Sequence, residues 1–200
     1  RANRSIVIEK TGAVAKAAAG AAKAVVGVAK AAVDTASSTV KKAVSAVASS
    51  FPSPGAQYLK SSSTAPSTNS KIVSIAKDLK ASTAKQTAVN VFNWMRSHVS
   101  YSFYYNSQRG ALGALSRKSA NCCDQANLNV ALLRAAGVPA RFIHSTASRF
   151  SSGTYGHVWA EAYIDGKWLS MDTTSSKNSV GSQRNCRSVG SLRKYVNVPF

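Results

Sequence analysis

Three side chains in this sequence have the types that covalent acyl transfer requires: a thiol at Cys122, an imidazole at His157 and a carboxylate at Asp172. Cys122 opens the stretch CCDQANLNVALLRAAG, in which Leu128, Ala131, Leu132 and Ala135 recur at helical spacing before Gly137 and Pro139 stop the pattern. The spacing predicts a helix over residues 122–136 with Cys122 at its entrance. Unpaired amides and the positive end of the helix dipole there stabilise a thiolate, lowering the pKa from about 8.5. A thiolate still needs a base that later protonates the leaving amine. His157 can supply it, and Asp172 can hold it in place.

Patterning alone tests that pairing. HVWAEAYI alternates, Asp165-Gly166 makes a two-residue turn, and KWLSMD returns as the second strand. Residue 159 then faces 172 and residue 157 faces 174. His157 and Asp172 fall on one face as diagonal neighbours, within side-chain reach. A slip by one residue would move Asp172 to the opposite face. Trp159, Glu161 and Tyr163 share the His157 face, while Val158, Ala160, Ala162 and Ile164 face the other way.

The run NCCDQANLNVALLRAAGVPAR followed by GHVWAEAYIDGKWLSMDTT resembles the transglutaminase-like cysteine peptidase superfamily. Cys122, Asp124 and Ala126 match its C-x-D-x-A element, and Leu133, Arg134, Gly137, Pro139 and Arg141 match the end of its helix. His157, Trp159 and Glu161 match H-x-W-x-E, and Asp172 with Thr174 matches D-x-T. The resemblance implies an α+β fold of the papain-like, transglutaminase-like class, with a central Cys-bearing helix packed on an antiparallel sheet. It also implies nucleophile, base and orienting acid at Cys122, His157 and Asp172. A narrower likeness, carried by VSYSFYYNSQRGA before ANCCDQANL, is to the pseudomurein endoisopeptidases of methanogen viruses and proviruses. That likeness implies hydrolysis of the alanine–ε-lysine isopeptide bond in a cell-wall polymer by a viral or proviral lytic domain. It places the site of action at the wall or in a virion. The chemistry asks for no cofactor.

The remaining candidates have plainer readings. Cys123 is a small hydrophobe pointing elsewhere on the helix, and Cys186 an incidental thiol. No second Cys pair or suitable His spacing supports a zinc site. His98 and His144 are structural or surface residues. Asp124 caps or supports the helix start. Trp159 and Trp168 pack, and Glu161 pairs with a basic side chain. An oxyanion hole needs donors aimed at the carbonyl oxygen. The Cys122 amide is one, and of Tyr105, Asn106 and Gln108 we favour Gln108 for the side-chain donor.

These residues must be positioned by a domain that spans 71–200. Ile72, Ile75, Ala76 and Leu79 form one helical stripe, and Ala88, Val91, Phe92 and Met95 another. Leu112 and Leu115 suggest a short helix, and ARFIHS a strand. Residues 51–70, rich in Ser, Thr and Pro without a period, read as a linker. Residues 1–50 read as a long helical arm, with Lys16, Lys23 and Lys30 seven apart among small apolar residues.

Composition frames the partners. The 200 residues carry 26 Lys and Arg against 7 Asp and Glu, net +19, and 44% apolar content excludes global disorder. Both the arm and the domain are basic, which favours an anionic partner such as a wall polymer. The arm could also dock on virion or parent-protein helices. No apolar run is long enough for a membrane span, and charge is the only nucleic-acid signal. The chain begins with Arg and reads as a piece of a longer polypeptide. Two rivals remain open: a transamidase that builds cross-links, and a basic virion structural or DNA-binding protein with a vestigial triad.

Overall fold

The computed structural model describes residues 53–199, so the arm assigned to 1–50 lies outside the described residues. They belong to a compact unit, Pro52–Phe200. A short 3-10 turn (Ala56–Leu59) leads to helices α1 (Ser70–Leu79) and α2 (Ala84–His98). Strand β1 (Ser100–Tyr101), helix α3 (Gly110–Arg117) and strand β2 (Ser119–Ala120) precede helix α4 (Cys122–Ala135). Strands β3 (Ala140–Phe150), β4 (Gly153–Ile164), β5 (Lys167–Met171), β6 (Arg187–Ser188) and β7 (Leu192–Tyr195) complete the unit. Helices followed by an antiparallel sheet make the α+β class that the sequence suggests.

The stripes bury as their spacing dictates in α1 (Ile72, Ala76) and α2 (Ala88, Val91, Phe92, Met95). In α3 they do not. Ala111 and Ala114 face inward, while Leu112 is exposed. The Ala111 amide donates to the Thr64 carbonyl at 2.9 Å, and so close a backbone approach suits small side chains better than leucine. Helix α4 is buried on every side from Cys123 to Arg134, so it is the centre of the core rather than a surface element. Its Leu128, Leu132 and Leu133 are fully buried, worth about 1.5–3 kcal/mol each. It ends where Gly137, at φ 86°, lets the Val138 amide reach Leu133 O (2.9 Å) and the Gly137 amide reach Arg134 O (3.0 Å).

The sheet runs β5-β4-β3-β6, with β7 also paired to β3. The β4–β5 register is Ala160 with Met171 through Ile164 with Lys167, the pairing read from the Asp165-Gly166 turn. Both turn residues have positive φ, 48° and 80°, as a tight two-residue hairpin requires. Val158, Ala160, Ala162 and Ile164 are all buried. The short, exposed strands β6 and β7 have no period from which the sequence could announce them.

One boundary moves. Within the segment read as a linker, Ala65 and Ser67 are buried, and Tyr58 meets Trp168 ring to ring at 4.9 Å. The Lys60 carbonyl accepts from Arg134 at 2.6 Å. Individual contacts fix residues 53–70 to the domain, and no hydrophobic period advertises them. Arg134 is itself buried with only neutral acceptors: Lys60 O, Ala140 O, Val196 O and Asn197 Oδ1. Desolvation pulls its pKa down to about 10.

Candidate active site

Helix α4 delivers Cys122 as its first residue, and Asn121 is the cap, its Oδ1 accepting from the Asp124 amide at 3.0 Å. The Asn121 amide group holds the preceding loop as well, donating to Tyr104 O and Asn106 O at 2.8 Å each. Asp124 therefore does not cap the helix. Its buried carboxylate accepts from the Tyr104 and Ser107 hydroxyls and from the amides of Gln108, Arg109 and Gly110. Burial opposes its charge, but these donors prevail and hold its pKa below the ordinary value. The acid at this position folds the loop that walls the cleft.

Strand β4 presents His157, buried, with Nε2 2.9 Å from Asp172 Oδ2. Asp172 follows the end of β5. Its Oδ2 also accepts from Gln183 Nε2 (2.8 Å), and its Oδ1 from the Thr174 amide (3.1 Å) and hydroxyl (2.7 Å). With Nε2 taken by Asp172, Nδ1 remains for Cys122, whose thiol hydrogen-bonds the His157 ring. Cys122, His157 and Asp172 are thus in one chain of contacts, on the face that the hairpin register requires.

The electrostatics favour a thiolate–imidazolium pair. Cys122 is pulled down to about 4, first by a hydrogen bond from the Cys123 thiol, against burial, and then by His157 and the Val158 amide. Burial disfavours the His157 cation, but Asp172 and Cys122 outweigh it and raise the pKa to about 9. Asp172 stays below its ordinary value despite burial, because His157, Thr174 and Gln183 all stabilise its charge. Cys123 is buried as expected, yet it does not point away from Cys122: the two thiols interact, and Cys123 is pushed far up.

Two other residues sit closer to this chemistry than their sequence context suggests. Donor atoms of Cys186, His157 and Asp172 lie within 4.8 Å of one another. A divalent ion would have to displace the His157–Asp172 hydrogen bond to use all three. Burial, then Asp172, pushes Cys186 up to about 11, so it remains a thiol. His144 lines the cleft instead of lying apart from it, whereas His98 stacks on Trp94 at 4.4 Å as a surface residue.

The cleft over Cys122 encloses about 900 Å³. Tyr105 and Asn106 line it; Gln108 does not, because its side chain turns to donate to Tyr105 O at 3.0 Å. Tyr101 lines it too, and its phenol is pushed up to about 12 by burial and next by the charge of Cys122. Sequence reasoning passed over Tyr101, whose place comes from the β1–β2 pairing of Tyr101 with Ala120, two residues before the thiol. Elsewhere Glu161 pairs with Arg141 at 2.7 Å, and the Arg141 guanidinium lies 4.1 Å from the Trp168 ring centre.

Among solved structures, the chain is similar to one called a candidate cysteine protease from Cytophaga hutchinsonii, at 24% identity and TM-score 0.52. The match covers 68% of this chain and 51% of that one, so the chain spans about half the length of that protein. The periplasmic domain of TgpA from Pseudomonas aeruginosa, bound to ethylmercury, matches at 20% identity and TM-score 0.45, over 58% of this chain and 46% of that one. No curated protein sequence matches significantly. The first likeness is one of fold, and the sequence of the site-bearing segment goes further. Residues 73–173, half of the chain, match the model of the transglutaminase-like superfamily, so the chain belongs to that superfamily, whose members are cysteine peptidases or transglutaminases.

Proposed function

We propose that this chain hydrolyses amide or isopeptide bonds in a cell-wall polymer, with Cys122 as nucleophile, His157 as base and acid, and Asp172 as the orienting carboxylate. The observation that carries the reading is the 2.9 Å contact of His157 with Asp172 while the other side of the ring meets Cys122. The Cys122 thiolate attacks the carbonyl carbon, and the oxygen takes up the negative charge. The Cys122 amide, which has no partner within the helix, faces that charge. Tyr101 replaces Gln108 as our choice of side-chain donor. The intermediate collapses, the amine leaves with the proton from His157, and a thioester remains. Water, deprotonated by His157, then releases the acid and restores the thiolate.

The finer assignment is the alanine–ε-lysine isopeptide bond of archaeal pseudomurein, cut by a viral or proviral lytic protein. It is supported by the likeness of VSYSFYYNSQRGA and by the net charge of +19, which suits an anionic wall. Incubation with purified pseudomurein, and separately with bacterial peptidoglycan, should release new amines and carboxylates from the first alone. Release from peptidoglycan alone would reassign the polymer. Mass spectrometry with an added primary amine separates hydrolysis from transamidation, since water and amine compete for one thioester. Release from neither wall, with salt-sensitive binding of DNA instead, would favour a basic virion protein with an unused triad.

A further inference from the structure

A ladder of aromatic rings runs outward from the proposed base. His157 meets Phe150 at 5.1 Å between ring centres, Phe150 meets Tyr155 at 6.3 Å, Tyr155 meets Phe103 at 6.0 Å, and Phe103 meets Tyr105 at 5.1 Å. Exposure rises along it, from buried His157 to 39% at Tyr155, 59% at Phe103 and 71% at Tyr105. The rungs come from two separate elements, the loop after β1 and the β3–β4 hairpin, and all of them line the cleft. Interplanar angles between 48° and 85° mean that no two rings stack face to face. Large aromatics left exposed together beside a reactive thiol are a contact surface for a ligand.

The rest of the lining narrows the ligand. Among the described residues, no Lys, Arg, Asp or Glu lines the cleft, although the chain has 26 basic residues. The polar groups interleaved with the rings are neutral: Asn106, Ser152, Thr154 and Asn185 among them. Aromatic faces with neutral amides and hydroxyls between them complement a molecule that has a C–H face and a rim of hydroxyl and amide groups. A pyranose ring has that shape. Apart from the reacting Cys122–His157 pair, whose charges answer each other, the lining offers a charged peptide side chain no counter-ion, and its desolvation would go uncompensated.

We propose that this ladder is a subsite for a neutral sugar unit, an N-acetylated hexosamine, attached to the peptide being cut. The proposal rests on the wall-hydrolase reading and names which part of the wall occupies the cleft. Phe103 and Tyr105 take the C–H face of the sugar, and the neutral side chains take its hydroxyl and acetamide groups. Binding the sugar orders the attached peptide across Cys122, while charged parts of the polymer stay outside the cleft.

Titration of the full chain with a β-1,4-linked tetramer of N-acetylglucosamine, followed calorimetrically, reads the subsite without requiring turnover. The expected result is binding that weakens about three- to ten-fold in each of Phe103→Ala and Tyr105→Ala. Both side chains are exposed, so an unchanged thermal midpoint shows that the variants remain folded. Absence of binding by the parent chain overturns the proposal, as does binding that neither variant weakens. Preferential binding of a phenylalanine-containing tripeptide at the same rings also overturns it and assigns the ladder to an apolar side chain. Wall hydrolysis without tetramer binding refutes the subsite alone. Tetramer binding without hydrolysis of any wall refutes the parent reading alone.

Discussion

Asn129, in the middle of the cysteine-bearing helix, donates from one amide nitrogen to Met171 O and to Thr173 Oγ1, both at 3.1 Å, and so grips the chain on either side of Asp172. One turn earlier, Gln125 Oε1 accepts from the Thr173 hydroxyl at 2.9 Å. The helix that carries the thiol therefore also sets the position of the carboxylate. Asn129→Ala should lower kcat by about ten-fold or more and destabilise the fold by about 1–3 kcal/mol, since the Met171 carbonyl stays buried without its donor. Urea denaturation and peptide hydrolysis check the two effects. A variant that is less stable yet keeps full kcat would limit Asn129 to a structural role.

The ion pair sets a pH window. Below about 4 the Cys122 thiolate is protonated, and above about 9 His157 loses the proton that the leaving amine needs. Hydrolysis should be flat between those limits and fall on both sides, and alkylation of Cys122 by iodoacetamide should persist into the acid range. Because the Cys123 thiol leads the causes that lower Cys122, Cys123→Ala should keep activity at neutral pH while moving the acid limb upward. An acid limb near 8 in the parent protein would exclude the preformed pair.

Tyr101→Phe removes one hydroxyl from the cleft without emptying it. If that hydroxyl serves the oxyanion, kcat should fall about ten- to hundred-fold with little change in KM, while Gln108→Ala stays near the parent rate. Steady-state kinetics on a soluble isopeptide distinguishes them, and the reverse ranking would restore Gln108.

Asp124→Asn keeps the shape of the side chain but exchanges a charged acceptor of six donors, the Asn127 amide among them, for a neutral amide. The expected loss is about 2–4 kcal/mol in urea unfolding, together with activity, because the 104–110 loop walls the cleft. The Asp124 pKa is depressed in the folded state, so its contribution is full above the unfolded carboxyl value of about 3.9 and disappears as pH falls through the lower folded value. The difference between parent and variant should shrink over that acid range. A constant difference would assign the loss to packing.

Much of this was legible in the sequence because the decisive signals were periodic. Alternation in β4, the Asp165-Gly166 turn and the β5 return fix the register, and the register fixes which face His157 and Asp172 share. Residues that act singly were not legible. Asn129, Gln183 and Asn121 are polar side chains within or beside apolar patterns, and nothing in their spacing says which backbone atom they meet. Cys186 reaches the His157–Asp172 pair only because the segment after β5 folds back, with Asn178 Oδ1 accepting from the Arg184 and Asn185 amides. The segment before α1 misleads for the same reason. Its Ser and Pro content lacks a period, yet Ala65 is fully buried.

A chain beginning at Pro52 should accordingly keep the stability of the domain, whereas one beginning at Lys71 should lose about 3 kcal/mol or more, with Ala65 and the Lys60 carbonyl gone. Circular dichroism during denaturation compares them directly. Equal midpoints would restore residues 51–70 to the status of a linker.

The Arg134 guanidinium gathers carbonyls from Lys60 and Val196, residues 136 positions apart at opposite ends of the domain. One stretch before the first helix and one after the last strand are therefore tied to a single side chain of the central helix. The same arginine that closes the core fastens the margins of the described residues to one another.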